Sequence, residues 1–166
     1  MLPGFRITPC FPRPKNRFLS LIVPPLLETA MQHQMIFVNL PIKDMGRSQA
    51  FFRALGYDFN PQFTNEQGAC LVLGENLFVM LLVEEFYKTF TDKAIADAKK
   101  TSEVLVCLSA QSREEIDTLV AKAVAAGATA PRPPQDHGFM YGHGFDDLDG
   151  HTWEFAYMVD ASKALG

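Results

Sequence analysis

The feature that most constrains this chain is an order of elements that occurs twice. Met35–Ile42 is a short apolar run with β-branched residues, a strand, with Pro41 near its end. Asp44 can cap a helix over Met45–Leu55, whose Phe51, Phe52 and Leu55 share one face, and Gly56 stops it. Strands over Tyr57–Phe63, Ala69–Leu73 and Leu77–Val83 follow, separated by turns at Asn65–Gly68 and Gly74–Asn76. The second pass starts with a strand over Glu103–Ser109. Ser112-x-x-Glu115 is a capping box, and the helix after it carries Ile116, Leu119, Val120, Ala123 and Val124 on one stripe, ending at Gly127. Thr129–Pro134 is a weak, proline-rich strand and Pro134–Gly138 a loop. Phe139–Asp146 and Thr152–Tyr157 then form a hairpin through Asp149-Gly150. Each half reads β-α-β-β-β, so the fold class is α+β, built of two βαβββ modules. Glu84–Lys100 joins them. Its Phe86, Tyr87 and Phe90 suit a connector packed over a cavity or a partner, with a short helix starting at Thr91-Asp92; a solvated linker helix fits equally well.

The last strand poses the first chemical question. Alternation puts Thr152, Glu154 and Ala156 on one face and Trp153, Phe155 and Tyr157 on the other, the latter packing under the helices. Glu154 is the strand's sole charge. An enclosed carboxylate without a partner costs several kcal/mol, so Glu154 needs a cation, a proton or donors beside it. Cys107, mid-strand with Leu105, reads as core. His151, beside the Asp-Gly turn, reads as a turn residue in solvent. His137, in a polar loop, is the best histidine candidate, and His143 could face either side.

Composition narrows the classes. Hydrophobic residues are 48% and charged residues 20%, as in a globular domain, and the net charge of −4 with no basic cluster in the body argues against nucleic acid. The three scattered cysteines make no disulfide framework and fit a reducing cytoplasm. No apolar stretch spans a bilayer. No GxGxxG, GxxxxGK[ST], GxSxG or HExxH pattern occurs, which leaves nucleotide cofactors and serine hydrolysis without support. Residues 1–34 differ from the rest: basic, proline-containing, with Pro24-Pro25 inside their apolar part. They read as a leader or a start codon called too early, with Met31 or Met35 the real beginning, rather than a secretory signal. The domain is then 35–160, with module one at 35–83, a connector at 84–102, module two at 103–158 and a tail after it.

Asn39-Leu-Pro-Ile-Lys-Asp44, Ser48-Gln-Ala-Phe-Phe52, Leu55-Gly56 and Asp147-Leu-Asp-Gly-His-Thr-Trp-Glu154 resemble the vicinal oxygen chelate superfamily of glyoxalase I, bleomycin-resistance proteins and extradiol dioxygenases. Within it, Lys43-Asp44, Phe78–Phe86 and Pro134–Gly142 look like the bacterial group of predicted lactoylglutathione lyases. The resemblance implies that each module curls into half a cup, the halves facing each other around one cavity, and that the protein is a homodimer. It also implies four metal-ligand positions, on the first and last strand of each module. They fall on Phe37, on Met80 give or take one residue, on Glu103 and on Glu154. Two carboxylates remain, a loose site for a divalent ion that wants about six ligands.

Three readings follow. Glu103 and Glu154, helped by His137 and water, could hold one divalent metal (Zn, Ni, Mn or Fe) and support lyase or isomerase chemistry on an α-oxo or thiol-conjugated compound. Without a metal, the two carboxylates could face each other as an acid–base pair or bind a cationic ligand. Or the cup, lined by Phe37, Met80 and Tyr141, could bind and sequester a small molecule in the manner of a bleomycin-resistance protein.

Overall fold

The structure, a computed structural model, describes residues 33–159. The expected leader, but for its last two residues, and the tail after residue 160 lie outside the described residues. The element order is β1 (Ile36–Ile42), α1 (Met45–Leu55), β2 (Asp58–Asn60), a 3₁₀ turn (Pro61–Phe63), β3 (Gly68–Gly74), β4 (Leu77–Val83) and α2 (Glu84–Tyr87). Then come β5 (Leu105–Ser109), α3 (Arg113–Ala125), β6 (Gln135–Asp136), β7 (Met140–Asp146) and β8 (Thr152–Met158). Two four-stranded sheets result, ordered β1-β4-β3-β2 and β5-β8-β7-β6. In each, the first strand of the module runs parallel to the last, and the other pairings are antiparallel. This is an α+β fold of two βαβββ modules. No helix among the described residues is long and apolar enough to cross a membrane.

The helices start and stop where the sequence signals them. Asp44 accepts the Arg47 amide at 2.7 Å, and Gly56, at φ 104°, turns the chain out of α1 in a conformation that side chains resist. Ser112 accepts the Glu115 amide at 3.1 Å. Glu115 reaches back past the cap to the Gln111 amide at 2.6 Å, a capping box extended by one residue. On α3, Ile116, Val120 and Ala123 are buried, whereas Val124, expected on the same stripe, is exposed.

Several expected boundaries shift. Proline breaks the second strand: Pro61 opens a 3₁₀ turn capped by Asn60. The run 129–134 is not a strand and makes only an isolated bridge, Thr129 to Asp146. The pairing strand is β6, in what reads as a loop, because three prolines between 131 and 134 remove ladder donors. Helix α2 begins directly after β4, and no helix starts at Thr91.

The core lies between the two sheets' inner faces and the helices. Leu40, Ile42, Leu71, Val79 and Leu81 from the first sheet join Val106, Phe145, Trp153 and Phe155 from the second. Helix α1 connects the modules: Phe52 meets Trp153 edge-on at 5.1 Å between centroids, and Phe51 meets Phe145 at 5.9 Å. With Trp153 and Phe155 turned inward, alternation leaves Thr152, Glu154 and Ala156 on the opposite, outer face of the second sheet.

Candidate functional site

A cavity of about 240 Å³ lies on that outer face. It exists because its floor lacks side chains. Strand register sets Gly142 opposite Ala156 and Gly144 opposite Glu154. Gly144 cannot be larger, since a Cβ there would stand 2.3 Å from the Trp153 carbonyl oxygen. Met140, Pro131 and Pro133 wall the space, and Cys107, directly across from Glu154 on β5, closes one side.

The electrostatics centre on Glu154. Arg132 donates from Nη2 to Glu154 Oε1 at 3.2 Å, the side chains being 60% and 33% exposed. The partner that the lone carboxylate of β8 requires is therefore a guanidinium from the proline-rich segment before β6. Partial desolvation at the cavity wall, and then the Glu154 charge, push the Cys107 thiol up from its ordinary value although the residue is exposed to solvent, so it stays protonated near neutrality. At the far end Thr152 Oγ1 donates to Asp146 at 2.7 Å.

The expected site residues are not gathered here. Glu103 precedes β5 and is not on it; its Oε1 lies 2.8 Å from His151 Nδ1, while only Glu154 of the two carboxylates lines the cavity. His151 is not a solvated turn residue. It is 2% exposed, and its Nε2 also meets the Pro41 carbonyl oxygen at 2.6 Å. His137 is exposed in the β6–β7 turn, beside Gln135. Tyr141 faces α3 rather than the cavity: its hydroxyl donates to Asp117 at 2.6 Å, which pushes the phenol up to about 12, and Arg113 lies over its ring. Its neighbour Met140 lines the cavity in its place, as the two-residue period demands. Phe37 and Met80 lie on the outer face of the first sheet, Phe37 stacked on Phe78 at 4.9 Å and Met80 between Asn39 and Cys70. Cys107, expected in the core, is exposed.

What the Asp147–His151 turn does is hold the modules together. The Asp147 carboxylate accepts the amides of Asp149, Gly150 and His151 and the Trp153 indole N–H. Burial raises its pKa, and the His151 ring and these donors pull it back. Asp149 accepts from the Lys43 amide, Arg47 and Ser48 at the start of α1. Of the two readings of the connector, a packed segment or a solvated linker helix, the contacts favour packing, here over this turn: a Cβ at Gly150 would come within 2.7 Å of the Lys99 amide.

The family pattern described as bleomycin resistance protein-like N-terminal matches residues 34–74, most of the first module. A hypothetical protein from Staphylococcus aureus, SA1046, is similar in structure at 29% identity, covering 80% of this chain and 98% of its own, with a TM-score of 0.65. A glyoxalase/bleomycin resistance protein/dioxygenase from Nocardioides shares the fold at 22% identity over 82% and 90% of the two chains, TM-score 0.62. A family enzyme of that description from Burkholderia phytofirmans does so at 18% identity over 74% and 97%, TM-score 0.62. The family match and the shared fold support a place in the vicinal oxygen chelate superfamily. Comparison with curated proteins finds no match.

Vicinal oxygen chelate proteins commonly bind a divalent metal. The residues present here do not fit one. Phe37 offers no lone pair, Met80 offers only a thioether, Glu103 is turned to His151, and Glu154 is held by a guanidinium. A divalent ion of the first transition row or magnesium needs three or more convergent hard or borderline donors from the protein or its substrate. Among the described residues no group of three His, Cys, Asp or Glu side chains could hold one. Arg132, Gly142, Gly144 and Asp146 are the features of the site that sequence reasoning missed. The alternation that put Thr152 and Ala156 beside Glu154 was a usable signal for the floor; nothing in the local sequence signalled Arg132.

Proposed function

We propose that this vicinal oxygen chelate protein binds a small organic molecule in the module-two cavity, as a binding or sequestration protein of the bleomycin-resistance type. The observation that carries the reading is the Arg132–Glu154 pair on a side-chain-free floor: a polar anchor over a small, partly apolar space, with a donor set unsuited to a metal. Such an anchor orients a ligand by hydrogen bonds while Met140 and the prolines contribute apolar contact. The test is an amide NMR titration of the full chain, in the presence of a chelator, with a library of small aromatic compounds. Binding moves the Cys107, Gly142 and Gly144 amides; a library that leaves all three in place sinks the reading.

A homodimer belongs to the same proposal. Ile36 and Phe37 on β1 and Leu77, paired with Ile36 on β4, are about half exposed, an apolar edge that a second copy would cover. Light scattering giving a monomer at micromolar concentration removes that part. The free thiols of Cys70 and Cys107 suit a reducing cytoplasm as the place of action.

A second reading, a lyase or isomerase with Glu154 as proton carrier, is favoured by one fact: among the described residues Glu154 makes a single hydrogen bond and keeps an oxygen free toward the cavity. Turnover of an α-oxo compound that Glu154→Gln abolishes while still binding it would establish this reading over sequestration.

A further inference from the structure

The cavity's charges form a sequence that selects one kind of ligand. Three charged side chains line it: Asp146, Glu154 and Arg132. Asp146 stands opposite Thr152 and Gly144 stands opposite Glu154, so the two carboxylates are diagonal neighbours on one face of the β7–β8 pair. Asp146 is engaged by the Thr152 hydroxyl alone among described side chains, and Glu154 by Arg132 alone, through one oxygen each. Among the described residues Arg132 uses one of its five N–H donors. Pro131 has a fixed φ and Pro133 confines Arg132 to extended conformations, which narrows the backbone positions open to it. The guanidinium is thus presented over the cavity with most of its donor fork unused.

A purely anionic ligand would bring a further negative charge to two carboxylates offset by one guanidinium. A purely cationic one could reach the free carboxylate oxygens, but it would lie beside the Arg132 charge and leave the guanidinium fork unused. A molecule bearing both charges avoids both costs. Its ammonium replaces Arg132 as the donor to Glu154 and reaches toward Asp146, and its carboxylate receives the freed guanidinium fork in two parallel hydrogen bonds. We infer that the module-two cavity is a site for a small zwitterion, an ammonium and a carboxylate on one short carbon frame, with a modest apolar group lying over Gly142, Gly144 and Ala156 against Met140. Arg132 is then the specificity-determining residue: the internal counter-ion of Glu154 in the empty cavity and the anion anchor in the filled one. The size of the space keeps the ligand well below drug size.

This inference rests on the cavity being a binding site, and the experiment separates the two. Phenylalanine, phenethylamine and 3-phenylpropionate share one ring and differ in charge. Each is titrated into the full chain by calorimetry, with the Gly142 and Gly144 amides followed by NMR. Phenylalanine is expected to bind at least tenfold more tightly than either half-charged analogue. Arg132→Gln, an exposed substitution, should bring phenylalanine down to the level of phenethylamine and leave phenethylamine equal or tighter. Asp146→Asn, which keeps an acceptor for Thr152, should weaken phenylalanine and phenethylamine but not 3-phenylpropionate. If either analogue binds as tightly as phenylalanine, or Arg132→Gln changes nothing, the zwitterion inference is overturned while the cavity remains a binding site. If none of the three binds or moves the two amides, the inference is overturned.

Discussion

Replacing Glu103 with alanine separates a structural carboxylate from a functional one. His151 is 2% exposed, and each of its ring nitrogens faces an oxygen: Nε2 the Pro41 carbonyl at 2.6 Å, Nδ1 the Glu103 carboxylate at 2.8 Å. Glu103 thus fixes a histidine that ties the β7–β8 turn of module two to β1 of module one. The 2.8 Å contact lies outside hydrogen-bond geometry, so the Glu103 carboxylate is the nearby acceptor that offsets the burial of Nδ1 electrostatically, and Glu103→Ala removes it at a cost of about 1–3 kcal/mol. Breaking a fully buried charged pair costs about 3–5 kcal/mol, but the Glu103 side chain is 23% exposed, so water can replace part of the contact. The expected loss is about 1.5–3 kcal/mol. Urea unfolding measures it, with the single tryptophan as reporter, since Trp153 is buried and its indole is bonded to Asp147 in the same turn. Glu103→Gln, which retains a hydrogen-bonding side chain, should lose less than about 1 kcal/mol. Ligand binding in the cavity should be unchanged in both variants. A stability change below about 0.5 kcal/mol in Glu103→Ala, or a loss of binding with stability intact, refutes the structural role.

Two further perturbations follow from the same contacts. Asp147→Ala strands three backbone amides and the Trp153 indole N–H in a buried turn and should cost about 3–5 kcal/mol in the same urea assay, with a smaller loss arguing that water enters the turn. Burial, and then Glu115, push the Tyr57 phenol up to about 12 from 10.0. The folded state therefore favours the neutral phenol, and this contribution is present below pH 10 and lost as pH rises toward 12. Stability should fall by about 1–2 kcal/mol across that window and less so in Tyr57→Phe, by urea midpoints at each pH; equal slopes in the two proteins would contradict it.

The fold was legible because its signals are local. Asp44, Gly56, Ser112 and Gly127 are turn and cap residues whose backbone preferences act whatever surrounds them, and the two-residue alternation of β8 placed Trp153 and Glu154 on opposite faces correctly. The site was only half legible because its partners are distant in sequence. Glu154's need for a counter-charge could be read from its strand, but that the charge is Arg132 depends on a segment whose prolines keep it out of the sheet. Glu103 was misread because β5 starts two residues later than the apolar pattern suggests, which takes Glu103 out of the alternation and gives its place in the sheet to Leu105 and Cys107. His151 looked like a turn residue in solvent because a turn is usually a surface; here the connector and β1 cover it.

The most direct measurement is the divalent metal content of the full chain after dialysis, beside that of Glu154→Gln. A Glu154 held by Arg132 in a ligand-binding cavity requires well under one equivalent in both proteins, with no difference between them. About one equivalent in the native chain, lost in Glu154→Gln, would make Glu154 a metal ligand and contradict the ion-pair site.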